Sequence, residues 1–299
     1  MPAKAIKSIS PIILGLLLLF AACGRAPRQN EATSDTIVDD YGRTVVLNGN
    51  ASRIVSASPS ITEIMYALGQ SHRLVGRTDF CLYPPAADSI PSIGGISNLN
   101  TEAILALRPD LVITASMIPQ RSVDQLEKMG VPVVCIIEKN HFEELYGNIS
   151  RIGQILHCEA AADSLNASLR ERVNAFVTDT ATRTDSKIPT VYYVVGFGAT
   201  GNFTAGGNTY IDDIIQLAGG RNLAHDNTGW SYSLESLMQN DPDYIVVRRE
   251  DSAAFCRTHP YSKLSAVRNG HVIGIESGTF DLQVPRNIDA IQYLRKRIQ

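Results

Sequence analysis

The chain has little charge and no excess of basic residues. Charged residues make up 19% of the 299 residues, and 27 lysines and arginines are set against 30 aspartates and glutamates, for a formal net charge of −3. A nucleic-acid-binding surface needs clustered positive charge, so the composition argues against that class of partner. Hydrophobic residues reach 44%, which is typical of a globular protein with a sizeable core.

Motifs for metal binding and for hydrolysis are also missing. Five cysteines occur without a CxxC pair, and six histidines occur without HxH or HExxH spacing. A zinc or thioredoxin-type site is therefore not predicted, and neither is a resident cofactor. No GxSxG accompanies the serines of residues 56–60, which argues against a hydrolase. Ser60 and Glu63 instead match the S-x-x-E capping box of a helix start.

One glycine-rich segment, Gly196 to Gly201, satisfies the GxGxxG pattern after a predicted strand. A dinucleotide site also needs the third glycine to open a helix, with an acidic residue about 20 residues further on. Here the loop continues to Gly207 and that acid is missing. The segment is predicted to be a long loop that exposes Phe197 and Phe203 to a cleft.

Long hydrophobic runs are confined to the N-terminus, where residues 12–20 are apolar. This run is too short to span a bilayer comfortably and is typical of a secretory signal. The small residues before Cys23 resemble a bacterial lipobox. We therefore predict a signal peptide over residues 1–22, with Cys23 as the lipidation site, and a flexible tether over residues 23–36. The protein would be exported and lipid-anchored, facing the periplasm or the cell exterior. Ordinary signal cleavage is the alternative.

Two similar segments lie far apart in the chain, NTEAILALRPDLVIT from Asn100 and SLESLMQNDPDYIVV from Ser233. In each, a glutamate follows an N-cap residue by two positions and precedes a proline by seven. Each segment predicts a capped short helix, a stop and an apolar strand. The repeat indicates two similar lobes, each presenting one acid, Glu102 or Glu235, at a helix start. Stabilisation by the helix dipole alone is the alternative role.

Short apolar strands alternate with helical segments on both sides of one long helical stretch. Residues 159–184 carry apolar side chains at helical spacing, without a strand signal. We predict an α/β protein with two Rossmann-like lobes, whose parallel central sheets are joined by a long rigid α-helix. The predicted bounds are 37–157 for the N-terminal lobe, 158–186 for the connecting helix and 187–299 for the C-terminal lobe.

Aromatic residues and one arginine fall in loops that follow strands or precede helices. Open α/β sheets bind ligands beyond the carboxyl ends of their strands. A cleft lined by such residues suits a large, partly apolar ligand, with the arginine available for an anionic group. The predicted ligand contacts are Phe80, Tyr83, Phe197, Phe203, Trp230, Tyr232, Phe280 and Arg286.

An ordered set of segments from residue 36 to the C-terminus carries a family resemblance. It includes RIVSASPSITEIMYALG, NTEAILALRPDLVI, FTAGGNTYIDDIIQLAGG and PRNIDAIQYL. The set resembles the ABC-importer substrate-binding proteins for cobalamin, ferric siderophores and haem. The resemblance implies a two-lobed, non-enzymatic monomer that carries a small-molecule ligand to a dimeric permease. It also implies that Glu102 and Glu235 meet arginines of that permease.

The resemblance leaves the ligand open. Cobalamin-holding members use several cleft tryptophans, whereas this chain has one, Trp230. Cobalamin, a ferric siderophore and haem are all compatible with the sequence. A zinc or manganese receptor of similar fold and a ligand sensor for a signalling receptor are the alternative functions. Cysteine pairing is also open: Cys81 with Cys256 is conceivable, and Cys135, inside an apolar strand, is expected to be a free thiol.

Overall fold

The computed structural model describes residues 34–115, 118–181 and 188–298. The predicted signal peptide and lipidation site, Cys23, lie outside these residues. Within the described ranges, no helix combines the length and the apolar character that crossing a membrane requires. Residues from Ser34 onward belong to one compact unit.

Parallel strands and helices alternate along the described chain. The strands are β1 (Ser34–Val38), β2 (Thr44–Asn48), β3 (Ile54–Ser56), β4 (Leu74–Arg77), β5 (Leu111–Thr114), β6 (Val133–Cys135), β7 (Thr190–Tyr193), β8 (Arg221–Asn222), β9 (Tyr244–Arg248) and β10 (Val272–Ile275). The α-helices are α1 (Pro59–Ala67), α2 (Thr101–Ala106), α3 (Gln120–Lys128), α4 (Glu144–Ile155), α5 (Glu159–Ala181), α6 (Tyr210–Leu217), α7 (Leu234–Asn240), α8 (Arg249–Arg257), α9 (Ser265–Arg268) and α10 (Asn287–Arg295).

Two four-stranded sheets have the same topology. The first has the order β4-β3-β5-β6, and the second, read from its opposite edge, has the order β8-β7-β9-β10. All neighbouring strands in both sheets are parallel. If the strands of each sheet are numbered 1 to 4 in chain order, both sheets have the strand order 2-1-3-4. The predicted α/β fold with parallel sheets in two lobes is confirmed. We call the parts that hold β3–β6 and β7–β10 the N-terminal and C-terminal lobes.

The antiparallel pair β1 and β2 forms a hairpin before the first parallel sheet, which we call the entrance hairpin. Its turn is organised by Asp39, whose Oδ1 accepts hydrogen bonds from the backbone N–H groups of Tyr41 and Arg43 at 3.0 and 2.9 Å. Burial opposes ionisation of Asp39, but the hydrogen bonds and charge of Arg43 are stronger together, and the pKa of this carboxyl lies below its ordinary value. The turn is therefore held in one conformation by an ion pair.

The long helix α5 lies between the two sheets in the chain, as predicted. Ala162, Leu169 and Val173, from its predicted apolar stripe, are buried in a core that also contains Ile61 of the N-terminal lobe and Ile214 of the C-terminal lobe. A shared core of this kind makes the connection between the lobes stiff, since packed interiors deform little. The exact domain boundaries remain predictions.

The four cysteines in the described ranges are free thiols. Cys135 is buried on β6, as its apolar surroundings predicted. Burial raises the pKa of the Cys135 thiol to about 11, so it is protonated at neutral pH. Cys81 is also buried and accepts a hydrogen bond from Thr62 at 3.1 Å. Cys81 and Cys256 are not joined in this structure.

Candidate functional site

A cavity of about 370 Å³ lies between the lobes. Its walls come from residues that follow β3 and β4 in the N-terminal lobe and β10 in the C-terminal lobe, which are carboxyl ends of parallel strands. We call it the interlobe cavity. It is lined by Pro59, Glu63, Phe80, Leu82, Tyr83, Ile96, Glu276, Ser277, Gly278, Asp281, Leu282 and Arg286.

The loop after β4 presents apolar side chains to this cavity. Phe80, Leu82 and Tyr83 are 58%, 69% and 47% exposed, although each is a large hydrophobic residue. Three exposed apolar residues in one short loop form an apolar surface patch of the kind found at interaction sites. The ring of Tyr83 also lies against the guanidinium of Arg286, 4.7 Å from the carbon to the ring centroid. The structure therefore brings together three predicted contacts: Phe80, Tyr83 and Arg286.

The floor of the cavity is an ion pair that joins the two lobes. Arg286 Nε and Nη2 donate to the two carboxylate oxygens of Glu63 at 2.7 and 2.9 Å. Arg286 also donates to the carbonyl of Gly278 at 2.9 Å and to Thr279 Oγ1 at 3.2 Å. The two side chains are only 16% and 4% exposed. Burial raises the pKa of Glu63, and the hydrogen bonds and charge of Arg286 offset this only in part.

This ion pair corrects two predictions. The helix that was expected to begin with a Ser60–Glu63 capping box begins at Pro59, after the N-cap residue Ser58, without a side-chain capping bond. The Ser60 hydroxyl bonds to the hydroxyl of Ser58 at 2.9 Å, and Glu63 is used in the tertiary pair instead. Arg286, which was expected to be available for an anionic ligand group, already has a carboxylate partner.

Further hydrogen bonds join the two lobes. The backbone N–H of Phe142 donates to Asp213 Oδ2 at 2.8 Å. Gln283 Nε2 donates to the carbonyl of His141 at 3.3 Å and to that of Lys139. The bonds made by Phe142 and Gln283 fix the position of one lobe relative to the other. Within the N-terminal lobe, burial raises the pKa of the partly buried Glu138, with a hydrogen bond to Ser60 acting in the opposite direction.

The glycine-rich loop after β7 cradles an aromatic ring. Gly201 has a φ of +114°, and a Cβ at this position would lie 2.8 Å from the ring of Phe203. A Cβ at Gly196 would approach the same ring to 3.2 Å. These contacts explain the two glycines by packing. Phe203 is 39% exposed, whereas Phe197 is half-buried and meets Phe255 edge-on at 5.2 Å.

Two of the predicted ligand contacts are core residues. Phe280 is 0% exposed and packs against Tyr193, and Tyr232 is 7% exposed and packs against Tyr192. A position after a strand or before a helix does not fix the direction of the ring, and here the rings point inward. Trp230 is 48% exposed. The described residues that line the interlobe cavity do not include Phe197, Phe203 or Trp230.

The two predicted docking acids occupy equivalent places. Glu102 lies in the first turn of α2, where Asn100 Oδ1 accepts from the N–H of Ala103 at 3.0 Å. Glu235 lies in the first turn of α7, where Ser233 Oγ accepts from the N–H of Ser236 at 2.9 Å. Both glutamates are exposed. Each lobe therefore presents one acidic side chain at a capped helix start.

The described residues do not form a cluster of metal ligands. Within residues 34–115, 118–181 and 188–298, no group of three or more histidine, cysteine, aspartate and glutamate side chains is arranged for that purpose. The interlobe cavity is instead a mixed surface of aromatic, aliphatic and paired charged groups. Such a surface holds a ligand by contact and hydrogen bonding.

Two parallel sheets of the same strand order, with a cavity between their lobes, define a two-lobed ligand-binding protein. The sequence matches the family model described as periplasmic binding protein over residues 54–279, and the chain belongs to this family. It is 31% identical over 264 residues to a cobalamin-binding protein of Halobacterium salinarum, covering 84% of this chain and 70% of that protein.

Two other relatives match over most of their length. An uncharacterised ABC transporter substrate-binding lipoprotein of Bacillus subtilis is 27% identical, with 94% of this chain and 93% of that protein covered. The crystal structure of a periplasmic haem-binding protein from Pseudomonas aeruginosa superimposes with a TM-score of 0.75 and 30% identity, covering 82% of this chain and 91% of that one. The predicted family is thereby confirmed.

Proposed function

We propose that this protein is the substrate-binding component of an ABC importer and that its ligand is cobalamin. The observation that carries the proposal is the interlobe cavity, in which exposed Phe80, Leu82 and Tyr83 face a polar floor. The cobalamin-binding relative from Halobacterium, which matches 84% of this chain, supports the choice of ligand. Haem is the second candidate, because a haem-binding protein has the same fold at 30% identity.

The proposed ligand suits the chemistry of the walls. A corrinoid combines broad apolar ring faces with a rim of amide groups. Phe80, Leu82 and Tyr83 supply apolar contact, and the hydroxyl, carbonyl and carboxylate groups near Ser277, Gly278 and Asp281 supply hydrogen-bond partners for amides. A cavity of about 370 Å³ is at the lower end of the range for ligand sites, so it encloses part of such a ligand.

The proposed mechanism is capture and delivery, with no bond made or broken in the ligand. Binding between the lobes selects one arrangement of the lobes, and the shared core with the Glu63–Arg286 pair limits the change to a small one. Glu102 and Glu235 then contact basic residues of a dimeric permease. Exposed ion pairs contribute only about 0–1 kcal/mol each, so these acids set the docking register more than the affinity.

The proposed location is the outer face of a membrane. Export by a signal peptide and lipidation at Cys23 keep a monomeric binding protein near its permease. The Bacillus relative, named as a substrate-binding lipoprotein, supports this part of the proposal. Mass spectrometry of the membrane fraction tests it: the expected N-terminus is an acylated Cys23, and an unmodified N-terminus elsewhere contradicts it.

A titration with cyanocobalamin tests the ligand and its site. We expect one bound ligand per protein chain by calorimetry, and about tenfold weaker binding for Tyr83→Ala, because apolar contact area is lost. Tyr41→Ala is the matched control, since Tyr41 is a 52% exposed tyrosine on the entrance hairpin. Unchanged affinity in Tyr83→Ala removes the interlobe cavity as the site.

A double variant tests the docking role. Glu102→Ala with Glu235→Ala should bind cyanocobalamin like the wild type but abolish uptake of the labelled vitamin by cells that express the importer. The control is Glu159→Ala, since Glu159 is an exposed acid in the first turn of α5. Normal uptake by the double variant shows that these two acids do not dock to the permease.

A further inference from the structure

Three acids line the interlobe cavity, and each faces an arginine. The pairs are Arg286–Glu63 at 2.7 Å, Arg248–Asp281 at 3.5 Å and Arg249–Glu276 at 4.0 Å. The first pair is buried, whereas the Arg249 and Glu276 side chains are 64% and 75% exposed. The positive charge near the cavity is therefore already countered by the protein.

The lining of the cavity is richer in acids than in bases. Among the described residues that line it, the charged ones are three carboxylates and one guanidinium: Glu63, Asp281, Glu276 and Arg286. An adjoining cavity of about 300 Å³ shares Tyr83, Glu276 and Arg286 with it and adds Arg249 and Asp289. The described lining of neither cavity offers a cation that lacks a carboxylate partner.

Two of the acids are fixed where they stand. Asp281 accepts a hydrogen bond from the Tyr193 hydroxyl at 2.8 Å and from the N–H of Gly278 at 3.2 Å. Glu63 is held by the two bonds from Arg286 described above. Neither carboxylate can turn away from an incoming ligand without breaking these bonds. Their carboxylate oxygens therefore keep fixed positions in the cavity wall.

We infer that Glu63, Asp281 and Glu276 determine ligand specificity by rejecting molecules with net negative charge. The inference rests on the proposed function. A ligand carboxylate that enters the cavity meets fixed carboxylate oxygens and finds the Arg286 guanidinium already paired with Glu63, so its charge gains no partner there. An uncharged amide meets hydrogen-bond acceptors without repulsion. Haem, which carries two carboxylates, is disfavoured, and the amide-bearing corrin ring is accepted.

The energetics of the floor support a role in specificity. A buried ion pair is often no more stabilising than an apolar pair of similar volume, because both charges lose their hydration. Burial raises the pKa of Glu63 in spite of Arg286, in keeping with this loss of hydration. The pair thus adds little to the fold, while Glu63 removes from the cavity a cation that would attract anions.

Titrations with haem and with cyanocobalamin test the inference. Glu63→Gln leaves Arg286 charged and uncompensated, and should bind haem about tenfold more tightly than the wild type. Glu276→Gln removes an exposed acid from the rim and should strengthen haem binding about two- to threefold. In both variants the ratio of haem affinity to cyanocobalamin affinity should rise, about tenfold for Glu63→Gln and about two- to threefold for Glu276→Gln. Glu171→Gln, on an exposed face of α5, is the control and should change neither affinity.

The outcomes separate this inference from the proposed function. If the wild type binds cyanocobalamin and neither Glu63→Gln nor Glu276→Gln gains affinity for haem, the specificity role is wrong and the ligand assignment stands. If the wild type binds haem more tightly than cyanocobalamin, both are wrong. Glu276→Gln keeps the test decisive if Glu63→Gln does not fold, because the Glu276 side chain is 75% exposed.

Discussion

Removing Arg286 should destabilise the fold much more than removing an exposed arginine. Arg286→Met leaves the Glu63 carboxylate, 4% exposed, buried without a counter-charge. Breaking a buried ion pair at one end typically costs about 3–5 kcal/mol. Because Arg286 is 16% exposed and water can reach its edge, we expect the free energy of unfolding to fall by about 3 kcal/mol, the lower end of that range. At about 2–4 °C per kcal/mol for a domain of this size, the midpoint of thermal unfolding should fall by about 6–12 °C.

Replacing both partners should restore most of the loss. In Glu63→Met with Arg286→Met, no charge remains buried, and the methionines fill the space with flexible apolar side chains. We expect the free energy of unfolding of the double variant to lie within about 1 kcal/mol of the wild type. The recovery follows because the double variant no longer buries a charge, and the raised pKa of Glu63 agrees with a cost of burying its charged form.

Urea unfolding at neutral pH, followed by circular dichroism, measures these differences. Arg172→Met is the matched control, because Arg172 pairs with Asp289 at the surface, where the side chains are 39% and 67% exposed. Arg172→Met should lower the free energy of unfolding by less than about 1 kcal/mol. The reasoning is refuted if Arg286→Met loses no more than Arg172→Met, or if the double variant is as unstable as the sum of the single ones.

Two further predictions concern other parts of the molecule. The raised pKa of Glu138 means that its stabilising contribution is complete below the ordinary value of 4.5 and is lost as the pH rises through the raised value. Glu138→Gln should therefore flatten the fall in unfolding free energy over that interval, and an unchanged pH profile contradicts this. Gly201→Ala should lower the free energy of unfolding by about 2–3 kcal/mol. The new Cβ would collide with the Phe203 ring, and the φ of this residue is unfavourable for alanine. Gly198→Ala, with φ of +78° and open space around the Cβ, should cost only about 1 kcal/mol. If urea unfolding shows equal losses of unfolding free energy for Gly201→Ala and Gly198→Ala, contact with Phe203 is not the reason for a glycine at position 201.

Local signals in the sequence were sufficient for most of the fold. The helix Tyr210–Leu217 carries such signals at both ends, because Thr209 caps its start and two glycines, Gly219 and Gly220, follow its end. The capped acids Glu102 and Glu235 were equally visible, since an N-cap and a proline stop act within a few residues. The repeated strand order follows from two copies of such units, each of which buries its apolar strands between helices.

The site was only partly predictable, because its central contact is not local. Glu63 follows Ser60 at capping-box spacing, and this pattern is the same whether the carboxylate caps its own helix or pairs elsewhere. Its partner, Arg286, lies 223 residues away in the chain. Likewise, Phe80 and Phe280 both follow strands, yet one ring is 58% exposed and the other is fully buried. The direction of each ring depends on packing partners from the other elements.

The arrangement of charges also revises the expected ligand. An arginine near aromatic residues suggested an anionic group, but Arg286 is already bonded to Glu63 and stacked on Tyr83. A guanidinium with two carboxylate bonds has few donors left for a ligand. The chemistry of the cavity therefore favours an uncharged polar ligand with apolar faces.

A crystal structure of the protein with cyanocobalamin would test the central claim most directly. We predict that the corrin ring lies in the interlobe cavity against Phe80 and Tyr83, with the Glu63–Arg286 ion pair intact beneath it. Density for the ligand at another surface, or an Arg286 released from Glu63 to bind it, would contradict the account.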